Sequence, residues 1–61
     1  MKQYKIYKTN NNEYSIETIT TTYFFSVKMG ESFNNIDNLN EEQLNTIINI
    51  LELNEYVDIT E

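Results

Sequence analysis

The chain contains no cysteine, histidine, arginine, proline, tryptophan or alanine, and a single glycine. Without cysteine or histidine there is no thiol nucleophile, no imidazole base, no soft-metal ligand and no disulfide. Without arginine there is no bidentate clamp for phosphate or carboxylate. One glycine does not build a phosphate-cradling loop. These absences predict a protein that is not an enzyme and holds no cofactor. The acid pair Glu41 and Glu42 is accounted for as the favourable first turn of a helix. The oxygen-rich stretch from Asn34 to Glu42 fails as a calcium loop, because Leu39 stands where a ligand is required. Long apolar runs are missing too, so no membrane-spanning helix is expected. The opening MKQYKIYK has no apolar region of a signal peptide, which predicts a cytoplasmic protein.

What the chain has instead is acid, amide and aromatic residues. Ten acids stand against four lysines, a net charge of −6, with five tyrosines and three phenylalanines. That aromatic content separates it from disordered acidic sequences. Abundant Asn, Ile, Lys and Tyr point to an AT-rich genome, that of a low-GC bacterium or of its phage or plasmid. The charge is uneven. Lys2, Lys5 and Lys8 lie in a segment without acids, whereas residues 31–61 hold eight acids and no base. A one-sign field of this kind steers a protein toward basic surfaces and away from nucleic acid and anionic membranes.

Local signals agree best over Leu39–Leu53. Leu44, Ile47, Ile48 and Leu51 recur at i, i+3, i+4 and i+7, one face of a helix. Asn40 is an N-cap, Gln43 completes a capping box, and Leu39 closes over Leu44 as a hydrophobic staple. Asn54 is the expected C-terminal cap. Ile50 and Leu53 lie off the apolar stripe: either the last turn unwinds or a partner covers them. Before the helix, Gln3–Lys8 and Glu13–Thr20 alternate with period two, and Thr9 to Asn12 supplies turn residues, so the pair reads as a hairpin. Tyr23–Met29 is also extended. Thr20–Thr22 contains no turn residue, so residues 14–29 are either two strands or one long bent strand; the typical length of strands favours a third strand ended by Gly30. Residues 31–38 then form a polar connection that tucks Phe33 and Ile36 under the helix. Val57 and Ile59 alternate with polar residues in a final short strand or a tail.

One α+β domain over residues 1–61 follows: a three- to four-stranded antiparallel sheet, βββα with or without a final β, and one helix packed on one face. Its core is expected to join Ile6, Ile16, Phe25 and Val27 to Leu44, Ile47, Ile48 and Leu51. A chain this small buries only about 60% of its unfolded surface. Lacking disulfide and metal staples, and with Phe24 and Ile19 facing away from the main apolar side, it is expected to form a homodimer.

The feature reaching beyond the fold is the acidic half. Carboxylates held together imitate nucleic-acid phosphates and occupy a basic groove. The partner-binding residues expected are Glu31 and Asp37 before the helix, and Glu52, Glu55, Asp58 and Glu61 spaced by three at the far end. Tyr56 lies within that run as an exposed aromatic anchor. The aromatic strand leading to an acid-capped helix, TYFFSVKMGESF followed by NEEQLNTIINILE over residues 22–52, resembles small acidic phage-encoded inhibitors, the type that includes anti-CRISPR proteins and inhibitors of uracil-DNA glycosylase. The resemblance implies an inhibitor of a basic nucleic-acid-binding protein, with no direct contact to nucleic acid. An antitoxin or immunity partner of a basic toxin, and a homo-oligomeric assembly protein, are the alternatives.

Overall fold

The computed structural model describes residues 1–9 and 12–61. Four strands and one helix follow in the order β1 (Lys2–Lys8), β2 (Tyr14–Phe24), β3 (Val27–Leu39), α1 (Glu41–Leu53) and β4 (Val57–Asp58). The sheet order is β3-β2-β1-β4. β1/β2 and β2/β3 are antiparallel, while β4 lies parallel to β1, pairing Gln3 with Val57 and Tyr4 with Asp58. The expected α+β domain with one helix on the sheet is what forms, but the sheet is mixed rather than wholly antiparallel. The final strand enters parallel because α1 carries the chain back across the sheet to the open side of β1. Within the expected turn, Asn10 and Asn11 lie outside the described residues; Asn12 takes φ 57°, and Thr9 donates its N–H and its hydroxyl to the Glu13 carbonyl at 2.8 and 3.0 Å.

The helix forms as its caps dictate. Asn40 Oδ1 accepts from the Gln43 N–H at 2.8 Å, and Gln43 Oε1 accepts from the Asn40 N–H at 3.0 Å. Leu39 and Leu44, the two halves of the staple, are both buried. Leu44 and Leu51 join Tyr4, Ile16 and Leu39 in the core, with Ile6, Tyr14, Ile47, Ile48 and Tyr56 packed around them. The helix stays wound through Leu53, so Leu53 (84% exposed) and Ile50 (53%) stand in solvent.

Between Thr20 and Asn38 the chain departs from the expected pattern. No reversal occurs at the threonines, and Gly30 ends no strand. β2 runs unbroken to Phe24, turns at Phe25 and Ser26, and returns as β3 through the segment expected to be a polar connection. The three threonines are β-branched and favour extended backbone. Gly30 pairs with Thr22 beside a bulge that leaves Met29 as the extra residue, a usual place for glycine within a strand. Period-two alternation is the same on both sides of a hairpin turn, so it does not mark where the chain reverses. Phe25 itself takes φ 55° as the first of two loop residues, a conformation that glycine usually supplies.

Two consequences follow for the core. Phe25 is 89% exposed and Val27 63%, so neither belongs to it. Phe33 and Ile36 do not tuck under the helix either; both are exposed on β3. Ile19 does face away from the helix, yet it is buried, opposite Phe33 on one side and Gln3 on the other. Phe24, by alternation along β2, falls on the same face as Ile16, but beyond the end of the core. The distal halves of β2 and β3 thus make a two-stranded arm with no layer against either face among the described residues, and the molecule measures 42 × 22 × 18 Å.

Candidate functional site

The expected site residues divide between two places. Glu31 and Asp37 lie on β3: Glu31 pairs with Lys28 on the arm, and Asp37 stands near its base. Glu52, Glu55, Tyr56, Asp58 and Glu61 lie at the other edge of the sheet, where α1 ends and β4 meets β1. The sheet order therefore separates the acids expected to act together into a remote pair and a compact group.

The compact group is built around the helix terminus. The Tyr56 N–H bonds the Leu51 carbonyl at 3.0 Å and the Glu55 N–H bonds the Glu52 carbonyl at 3.0 Å. That pairing is a Schellman motif, with Asn54 as C-cap and Glu55 as the residue after it. The motif requires a left-handed residue after the cap, and Glu55 provides it at φ 67°. Glycine is the default there because a Cβ is strained in that region. Tyr56 then packs against the core beside Leu51, as the apolar contact of the motif. Tyr56 is accordingly half-buried rather than the exposed anchor the sequence suggested, and Lys2 Nζ lies 5.6 Å from its ring centroid.

Tyr4 organises the carboxylates. Its ring is buried at 2% exposure, and its hydroxyl donates to Glu52 Oε1 at 3.5 Å. Burial pushes the phenol above its ordinary 10.0, and the charges of Asp58 and Glu52 together with the Glu52 hydrogen bond push it further. Two acids from different elements, α1 and β4, thus bear on one buried phenol. Asp58 also accepts the Thr60 N–H at 2.8 Å, which turns the tail so that the Thr60 hydroxyl accepts the Ile6 N–H at 2.8 Å. Glu61 follows, lining a shallow groove with Lys5, Ile6, Tyr7, Ile59 and Thr60.

The electrostatics of this end run against local stability. Carbonyl groups at a helix C-terminus carry partial negative charge and favour cations nearby. Glu52 occupies the last turn, no base does, and Glu55 and Asp58 follow it. Among the described residues the single salt bridge is Lys28–Glu31 on the arm, so none of these three carboxylates is in a salt bridge. Lys2 Nζ, the nearest help, lies 3.4 Å from the Asn54 carbonyl. No three acids among the described residues converge to hold a metal ion. The chemistry of this end is that of a preorganised anionic surface.

The arm is a second exposed surface, which the residue pattern alone did not mark as a hairpin. Tyr23, Phe24, Phe25, Val27 and Met29 are all at least half exposed at its tip, with Phe24 and Phe25 edge to face at 4.7 Å between ring centroids. Among the described residues no helix is long and apolar enough to cross a membrane. No family model, curated protein or solved structure matches the chain.

Proposed function

We propose that this chain is a non-catalytic binding protein that inhibits a basic nucleic-acid-processing protein by occupying its nucleic-acid groove. It would act in the cytoplasm of the cell that hosts a phage or other mobile element. The observation that carries the reading is the acidic terminus of α1. Glu52 sits where the helix dipole opposes it, and Glu55 sits where glycine is the stable choice. Local rules broken without a local gain are a mark of functional positions. A cationic groove supplies the charge that this end of the molecule lacks, and it favours both carboxylates at once. Asp58 and Glu61 extend the anionic surface along the tail, whereas Glu31, already paired with Lys28, contributes little.

The test is competition. The protein is used to capture partners from a low-GC bacterial lysate, and the captured partner is challenged with duplex DNA and with salt. A basic nucleic-acid enzyme released by either is the expected result. The variant E52Q/E55Q/D58N/E61Q should bind it with a slower on-rate and a weaker salt dependence, since complementary charge acts chiefly on encounter. Equal binding by that variant at low salt would exclude the acidic end as the interface. A toxin in the eluate instead would assign the same surface to an antitoxin or immunity role.

A further inference from the structure

β3 is the outer strand of the sheet, and among the described residues its 13 residues run without a strand on that side. The ladder fixes which backbone groups are open. Met1 and Thr21 exchange both backbone bonds at 2.8 Å, so odd-numbered residues of β2 turn their amides and carbonyls toward β1 and even-numbered ones toward β3. On β3, Gly30, Ser32, Asn34 and Ile36 oppose even residues and bond inward. Lys28, Glu31, Phe33, Asn35 and Asp37 therefore direct their N–H and C=O groups outward. A long exposed edge of this kind is a template for another strand.

The geometry points to a second copy of this chain as that strand: we propose that β3 pairs antiparallel with β3 of another molecule about a two-fold axis at Phe33. An antiparallel ladder admits only registers that oppose outward residues, with the axis at any residue from Glu31 to Asn35, and of these one alone sets Lys28 against an acid. An axis at Glu31 sets two Glu31 carboxylates face to face. An axis at Asn34 sets Glu31 against Asp37. The axis at Phe33 opposes Phe33 to Phe33 and Glu31 to Asn35, and beyond the Met29 bulge it brings Lys28 against Asp37 twice. Like charges opposite one another are avoided, and unlike charges meet.

Two further observations fit the same register. It sets the arm tip of one copy beside the other copy's junction between β3 and α1. There a groove of about 460 Å³ opens between Leu39, Asn40, Glu42, Gln43, Thr46 and Ile47. Val27 and Phe24 are on the helix-bearing face of the sheet and so point to the side where that groove lies. The topology also handles the net charge. Glu52, Glu55 and Asp58, at the end of α1 and on β4, lie at the edge opposite β3, so the resulting eight-stranded sheet keeps these acids of the two copies apart. The dimer is independent of the function proposed above: a monomeric result would leave the acidic-end competition assay unaffected.

The absence of cysteine makes the register directly testable. Residues at a hydrogen-bonded antiparallel pair have Cα atoms about 5.5 Å apart, inside the disulfide range of about 4.4–6.8 Å. Under mild oxidation F33C should cross-link to a dimer, and N35C alone should not. The double variant E31C/N35C, which keeps Phe33, should cross-link as well. In sedimentation across a concentration series the native protein should dimerise, K28E should lose the dimer, and K28E/D37K should recover it. A monomer at every concentration, efficient cross-linking by N35C alone, or a dimer indifferent to K28E would each overturn the proposal.

Discussion

Replacing Glu55 by glycine should make the protein more stable, although Glu55 is exposed. The left-handed region costs an L-residue about 1–2 kcal/mol relative to the right-handed one. Glycine escapes that cost but loses about 0.5–1 kcal/mol more on folding through its freer unfolded chain. The balance is a net gain of about 1 kcal/mol, and removal of a carboxylate from the helix C-terminus adds to it in the same direction. For a domain of this size about 1 kcal/mol raises Tm by roughly 4–8 °C. Thermal and urea unfolding of E55G would measure it. E55Q separates the contributions, because it retains the left-handed strain at φ 67° and removes only the charge. Its gain should be smaller and should vanish in high salt. A lower Tm for E55G would refute the assignment of strain to this position, and with it the argument that the carboxylate is kept for a partner.

The remaining predictions concern the core and the buried phenol. Ile16 is fully buried, so I16A should cost about 2–5 kcal/mol and abolish a cooperative melt near room temperature; I48A, at a half-buried position, should cost less, and a reversed order in urea titrations would contradict the core described here. Because the folded state raises the Tyr4 phenol above 10.0, its contribution to stability is complete below that pH and declines as pH rises from 10.0 through the folded value. Y4F should remove that part of the alkaline loss, which denaturant titrations between neutral pH and the strongly alkaline range would detect; identical pH profiles for the two proteins would refute it.

Which parts of the structure the sequence disclosed depends on whether a local signal existed. The helix was readable to the residue, because cap, staple and apolar stripe all involve neighbours in sequence: Asn40, Gln43, Leu39 and Leu44 do what their spacing implies. The β1/β2 pairing was readable from alternation. The turn at Phe25 and Ser26 was not, since neither residue is a turn former and the period of two continues through the hairpin. The core position of Tyr4 was likewise hidden. Its burial comes from a helix nearly 50 residues away, whereas Phe25 and Val27, more apolar, have nothing folded above them. Among the site residues, the grouping of Glu52 with Asp58 depends on β4 lying parallel to β1. The left-handed Glu55 became evident only from the backbone.

The arm has a consequence for how this protein tolerates change. Tyr4, Ile16, Leu39, Leu44 and Leu51, which hold the fold, all lie at one end of the molecule. Tyr23 to Met29, at the other end, rest on no second layer among the described residues. A substitution there removes no buried contact and creates no cavity, so its effect on the melting of the base should be slight. The composition of the tip is therefore free to drift in step with whatever surface it meets, at nearly constant stability. A scaffold divided in this way lets one end change its sequence while the packed core at the other stays as it is.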